Sequence, residues 1–334
     1  MSESKQGGEV SIIETYFAPL AEGSPGAAGL KDDAGYMEVP EGHSLVLTTD
    51  AIVEGIHFLA GTDPQDIAFK ALAVNVSDLC AKGADPTAYL LTAAFPGSVE
   101  NQFLEDFQAG LLRAQEEYGC CLLGGDTVRT EGPILISITA TGTVPTRKKV
   151  HRSGANPGDL VYVTGTIGDA ALGLSLCTGD EPYTSDLLSD EHARHLRQRY
   201  LRPRVRLGAI KLVREFATAS MDISDGLVGD LEKLVTASGV GADLNSTEIP
   251  LSDAATAWLA AMPEAIGTVL TGGDDYEVLM TIPVADEDAF ISAAKQTKLD
   301  VTRIGCITTH KTGVQVFGID GELLKLTRTS YDHF

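Results

Sequence analysis

Apolar positions recur along this chain with two periods. Over residues 43–49 the run Leu45-Val46-Leu47 reads as a buried strand that ends in Thr48, Thr49 and Asp50, with Glu54 and His57 a few residues on. Residues 36–39 read as a second strand paired with it around Pro40-Glu41-Gly42. Over 64–82, Ile67, Ala71, Leu72, Val74, Val76 and Leu79 give a broad apolar face at helical spacing. Asn75 and Asp78 share one side of that helix, and a polar pair in so apolar a segment needs a partner or a ligand. Residues 87–94 and 134–144 read as strands and 100–118 as a helix. Residues 120–123 form a short buried strand that ends in Gly124-Gly125-Asp126. Ahead of all these, 11–20 reads as a short helix, and a glycine-rich loop over 22–29 leads into Lys31-Asp32-Asp33.

Arg147-Lys148-Lys149-Val150-His151-Arg152 is the only dense basic run. The glycine- and proline-containing turn at 154–158 after it suggests a division into domains 1–150 and 151–334. The second half restarts with a strand at 160–164. Gly165-Thr166-Ile167-Gly168-Asp169 then opens a helix, a pattern that fits a phosphate loop or a plain strand-to-helix turn equally well. Helices at 192–201 and 204–216 lead to Asp222-Ile223-Ser224-Asp225-Gly226-Leu227 and a further helix to 237. Gly272-Gly273-Asp274-Asp275 precedes a strand at 276–282, and a helix at 286–295 and strands at 301–307 and 314–317 follow. The fold class expected is α/β (α+β) in two domains.

Charge narrows the partners. The chain has 334 residues with 47 acidic against 25 basic ones, a net charge of -22. That balance argues against nucleic acid or an anionic membrane, whose phosphates need Lys and Arg. Five cysteines with no C-x-x-C pattern, a polar start and no apolar run of membrane-spanning length predict a cytoplasmic protein.

The acids beside glycines and hydroxyls carry the candidate chemistry. No P-loop pattern and no protein-kinase motif set is present. If Asp32, Asp33, Asp50, Asp78, Asp126, Asp222 and Asp225 converge, each pair of carboxylates at ~4 Å repels by roughly 4 kcal/mol, so cations must neutralise them. Magnesium suits oxygen ligands and bridges carboxylates to phosphates, which points to nucleotide-dependent phosphoryl transfer. Taken singly, each of these acids also fits a turn or a helix cap, Asp222 and Asp225 at the helix after Gly226 above all, and His57 fits a structural role.

Asp32-Asp33-Ala34, Thr48 to Phe58, Lys70 to Asp78, Gly124 to Thr127, Arg152-Ser153-Gly154, Pro157 to Ala170, Asp222 to Leu227, Gly272 to Glu277 and Tyr331-Asp332-His333-Phe334 run in one order along the chain. Together they resemble the thiamine-monophosphate kinase family of the aminoimidazole ribonucleotide synthetase superfamily. The resemblance implies phosphorylation of thiamine monophosphate by ATP through direct in-line transfer, and a homodimer joined through the N-terminal sheet. It implies several magnesium ions on Asp32, Asp33, Thr48, Thr49, Asp50, Asp78, Asp126, Asp222 and Asp225. It further implies ATP contacts from Gly125, Asp126, Arg152 and Ser224, and substrate contacts from His57 and Asp274, with no protein group assigned as general base. Three positions depart from the family pattern: Lys31 replaces a glycine, Asp274 a glutamate, and Arg328 stands where an aromatic residue is usual.

Overall fold

The computed structural model describes residues 8–179, 188–310 and 313–330. The terminal Tyr331-Asp332-His333-Phe334 stretch lies outside the described residues. The chain divides into two compact units, Met1–Leu79 with Ala84–Thr146, and Cys80–Gly83 with Arg147–Phe334. Among the described residues no helix is long and apolar enough to cross a membrane.

In the first unit, α1 (Glu9–Ile12) passes into a π-helical turn at Ile13–Phe17 and a 3-10 turn at Ala18–Ala21. A single regular helix was the expectation for 11–20. Pro19, at the start of the last turn, has no N–H to donate and breaks the ladder. Then follow β1 (His43–Val53), α2 (Pro64–Ala81), β2 (Asp85–Pro96), α3 (Asn101–Tyr118), β3 (Cys121–Thr130) and β4 (Leu135–Pro145). The four strands form one sheet in the order β1-β4-β2-β3, which leaves β1 at an edge.

Three strand expectations need correction. The first strand does not end at Thr48-Thr49-Asp50 but runs on to Val53, because its pairing with β4 continues through Ala51 and Ile52. Residues 36–39 form no strand. Tyr36 donates its N–H to the Gly26 carbonyl at 2.9 Å, which ties this segment to the preceding loop. β1 pairs antiparallel with β4 along its whole length instead. The strand expected at 120–123 does not end at Gly124-Gly125-Asp126 but runs through it, parallel to β2. Gly125 permits this. Its φ is 156°, and a Cβ there would stand 1.9 Å from the Leu91 carbonyl oxygen.

The second unit contains β5 (Leu160–Thr164), α4 (Asp169–Thr178), α5 (Asp190–Leu201), α6 (Ala209–Phe216), β6 (Ala219–Asp222), α7 (Leu227–Ser238), β7 (Gly241–Asn245), α8 (Asp253–Ala261), α9 (Ile266–Thr271), β8 (Val278–Ile282), α10 (Glu287–Thr297), β9 (Val301–Thr308) and β10 (Val314–Phe317). Its sheet has the order β10-β7-β9-β5-β8-β6. Alternation along β5 sends Val161 and Val163 into a core with Leu227, Leu231 and Trp258. Leu160 and Tyr162 enter a second core with Met280 and Phe290. The helix expected over 204–216 begins only at Ala209, after a loop that contains Pro203. The strand expected from 276 begins at Val278, because Asp274 and Tyr276 hold left-handed backbone, with φ of 73° and 51°.

Candidate active site

Each unit carries its own part of the candidate site. In the first, β1 delivers Thr48, Thr49 and Asp50 from a strand fixed by eleven residues of pairing. Thr48 Oγ1 donates to Asp78 Oδ2, and the Asp50 N–H donates to Asn75 Oδ1 at 2.9 Å. The polar pair on α2 thus finds its partner in the middle of β1. Asn75 is fully buried and also donates to the Ala71 carbonyl at 3.0 Å, so its amide is oriented from both ends. Alternation turns Thr49 to the other side of β1, where its hydroxyl accepts from Thr139 Oγ1 at 3.1 Å. Asp32, Asp33, Gly125, Asp126 and Thr139 line one cavity of about 510 Å3 with Leu90 and Leu123. The structure therefore sorts the N-terminal donors into two sets, Thr48, Asp50 and Asp78 on one hand and Asp32, Asp33 and Asp126 on the other.

His57 has a structural task. Its Nδ1 accepts the Val53 N–H at 3.1 Å, and its carbonyl accepts from Lys70 Nζ at 3.0 Å. These contacts close the turn after β1.

In the second unit Asp222 ends β6 and Asp225 begins the turn into α7. Neither caps the helix: the N-cap is Gly226, with no side-chain cap. The N–H groups of Ser224 and Asp225 both donate to Asp230 Oδ2 at 2.9 Å. Lys233 Nζ donates to Asp225 Oδ2 and, at 2.8 Å, to Asp230 Oδ1. The Asp274 N–H reaches the Ser224 carbonyl at 2.8 Å, which sets Asp274 beside the Asp222–Asp225 turn. Arg152 is exposed at the start of this unit.

Beneath Asp274 lies a buried ionic network that the sequence did not announce. Asp275 accepts the N–H groups of Gly168 at 2.7 Å and Ala170 at 3.3 Å. The glycine turn before α4 is thus occupied by the protein's own carboxylate, which favours the plain turn over a phosphate loop. Glu277 accepts from Thr164 Oγ1 at 2.6 Å, Arg206 Nε at 2.6 Å and Arg199 at 2.9 Å. Asp169 accepts from Thr166 Oγ1 at 2.7 Å and also pairs with His195 and Ser252. Burial would raise the Asp169 carboxyl, but those hydrogen bonds and the Arg199 charge hold it below its ordinary value. Burial pushes Asp275 up to about 8 against the pull of Arg199.

Thr48 and Asp50 on β1, Asp78 on α2 and Asp222 at the end of β6 are all oxygen donors, a chemistry that fits magnesium. Among the described residues, no three His, Cys, Asp or Glu side chains stand close enough to hold one ion by themselves. Magnesium held by one or two carboxylates completes its shell with water and phosphate, so these small sets match its habit.

Comparison with known proteins agrees with the geometry. Residues 31–144 match the AIR synthase related protein N-terminal domain, and residues 156–317 the corresponding C-terminal domain. The thiamine-monophosphate kinase of Salmonella typhimurium is 38% identical over 328 residues, 98% of each chain. The chain belongs to the thiamine-monophosphate kinase family. Its mixed α/β two-domain fold is the AIR synthase-like fold of that family. The crystal structure of thiamine-monophosphate kinase from Stenotrophomonas maltophilia covers 95% of this chain and 98% of its own, at a TM-score of 0.82 and 35% identity. A solved complex of AaThiL with AMPPCP and TMP covers 91% of each chain, at a TM-score of 0.76 and 35% identity.

Sequence reasoning missed Asp230, Lys233, Asp169, Arg199, Arg206 and Glu277. Asp230 and Lys233 had a signal: a carboxylate among Leu227, Val228 and Leu231 needs a partner, and a lysine follows three residues later. Arg199 had none, because it lies in a helix rich in other basic residues.

Proposed function

We propose that this chain phosphorylates thiamine monophosphate with ATP to give thiamine diphosphate and ADP. A terminal phosphate oxygen of thiamine monophosphate attacks the γ-phosphorus of ATP in line, and the bond from that phosphorus to the ADP oxygen breaks. The acceptor is already ionised near neutral pH, so no protein base is required. This accords with a site whose side chains bind and orient rather than abstract protons. The observation that carries the reading is the nearly full-length match to proteins named for this activity, with oxygen donors supplied by β1 (Thr48, Asp50), α2 (Asp78), β3 (Asp126) and the β6–α7 turn (Asp222, Asp225).

In this reading Asp32, Asp33, Thr48, Thr49, Asp50, Asp78, Asp126, Asp222 and Asp225 would hold magnesium ions, which when bound neutralise the charge of the ATP phosphates. Gly125 contacts ATP through its backbone. Asp126, Arg152 and Ser224 contact ATP, and His57 and Asp274 contact the substrate. Residues 1–150 are read as the nucleotide-binding and dimerisation domain, and 151–334 as the domain that carries the Asp222–Asp225 turn. The active form is a cytoplasmic homodimer. The five free cysteines suit a reducing compartment.

The test is an end-point assay resolved by chromatography. One thiamine diphosphate per ADP is expected, from thiamine monophosphate but not from thiamine, and only with magnesium present. ADP without thiamine diphosphate would reject the acceptor. Asp50→Asn and Asp126→Asn are each expected to lower turnover by at least about 100-fold with the melting transition retained. Near-normal turnover in both would remove the metal assignment.

A further inference from the structure

We propose that Lys233 is the resident counter-ion of Asp225: its ammonium holds that carboxylate when no divalent cation does, and it sets how tightly a cation is taken up there. The inference rests on the reading of Asp225 as a metal ligand and adds a residue that determines the affinity of that site.

Three observations support it. First, Asp230 is spent on the fold. It is wholly buried, its Oδ2 accepts two backbone N–H groups at 2.9 Å, and its Oδ1 accepts Lys233 at 2.8 Å. It fixes the turn and anchors the ammonium. Second, Lys233 does not stop at that anchor. Its Nζ also donates to Asp225 Oδ2, the outward carboxylate of the same turn. Third, Lys233 and Asp225 are 38% and 36% exposed, so an ion from solvent has access to both partners. One ammonium thus bridges a buried carboxylate, which it need not leave, and a half-exposed one, which it can yield.

The charges make the exchange favourable. Asp225 and Asp230 carry two negative charges and Lys233 offsets one, so the pair stays anionic and attracts cations. At equal distance and dielectric a divalent ion attracts Asp225 twice as strongly as an ammonium does. Lys233 then retreats to Asp230, at the cost of standing near a new positive charge. A lysine with only a structural role, the ordinary i,i+3 pair with Asp230, would repel a cation through space but would release no contact when one binds, so its acylation rate would not rise.

The experiment titrates magnesium ions alone into the full-length protein by calorimetry, with the wild type, Lys233→Gln and Asp225→Asn compared. Lys233→Gln is expected to bind magnesium roughly fivefold more tightly than the wild type, because the competitor and its repulsion are both removed. Equal or weaker binding would overturn the proposal. Asp225→Asn is expected to weaken binding. If it does not, the ligand assignment fails, and the role of the lysine fails with it. A second measurement needs no variant. Amine acylation of the wild type, read at Lys233 by mass spectrometry, is expected to speed up when magnesium is added, and an unchanged or slower rate would also overturn the proposal.

Discussion

Asp275 has no exposed surface and sits where the N-terminus of α4, Arg199 and the strained segment at Asp274 and Tyr276 meet. Its carboxyl titrates near 8 in the fold, against an ordinary value of 3.8. The folded state therefore binds more protons than the unfolded one between those values, and the stability this residue contributes is full below about 4 and lost as pH rises through 8. The slope is at most about 1.4 kcal/mol per pH unit. Asp275→Asn is expected to flatten it, so that urea unfolding at pH 5 and pH 8 differs less in the variant than in the wild type. An unchanged difference would mean that Asp275 is ionised throughout. At this scale the sequence was legible where a polar residue interrupts an apolar run. Asn75 and Asp78 announced a need for partners, and Thr48 and Asp50 supplied them. It was silent where charges answer one another from separate elements, as Arg199, Arg206 and Glu277 do. His57 marks the other limit, since its turn-closing contact with Val53 can be read only from coordinates.

Of the elements of eighteen residues, α3 was legible because its apolar stripe repeats over several turns, and α2 because it is long and apolar, buried on every side from Ile67 to Ser77. β6 and β7, with four and five residues, offer too few positions for a period to emerge. The course of β3 depended on something the pattern does not carry, the tolerance of Gly125 for close approach. Gly125→Ala would drive a methyl to 1.9 Å from the Leu91 carbonyl and force the β2–β3 ladder apart. A loss of about 2–3 kcal/mol is expected, measured by urea denaturation. Gly124→Ala meets only Leu90 Cδ2 at 3.4 Å and is expected to cost clearly less. If the two variants prove equally stable, close packing at Gly125 does not govern the path of β3.

For the whole molecule, the α/β class and the two-part organisation were legible from the alternation of strand and helix patterns. The division itself follows contacts, and the assignment of Cys80–Gly83 to the second unit has no signature in composition. β1 leaves one edge without a neighbouring strand in its sheet, and Leu45 and Leu47 are 39% and 61% exposed along it. An open apolar edge of this length is a hazard unless another chain covers it. Sedimentation at micromolar concentration is expected to give twice the chain mass, and Leu47→Lys is expected to shift the population toward one chain mass. A wild type that sediments as a single chain would discard the dimer.

The ionic network of the second unit also orders events in time. Glu277 meets Arg206, Arg199 and Thr164 across 71, 78 and 113 residues of sequence, and Asp275 meets Gly168 across 107. On the ribosome the arginines and the turn before α4 are all made before Glu277, which neutralises the arginines, and Asp275, which fills the turn. A nascent chain that ends before Asp275 carries two guanidinium groups that cannot enter a dry interior, so water stays where β8 will later lie. Emergence of Asp275 to Ile282 supplies the Glu277 counter-charge, the Asp275 group that fills the turn, and strand β8 together. The second unit is therefore closed from its C-terminal side, late in synthesis, with β9 still to enter between β7 and β5.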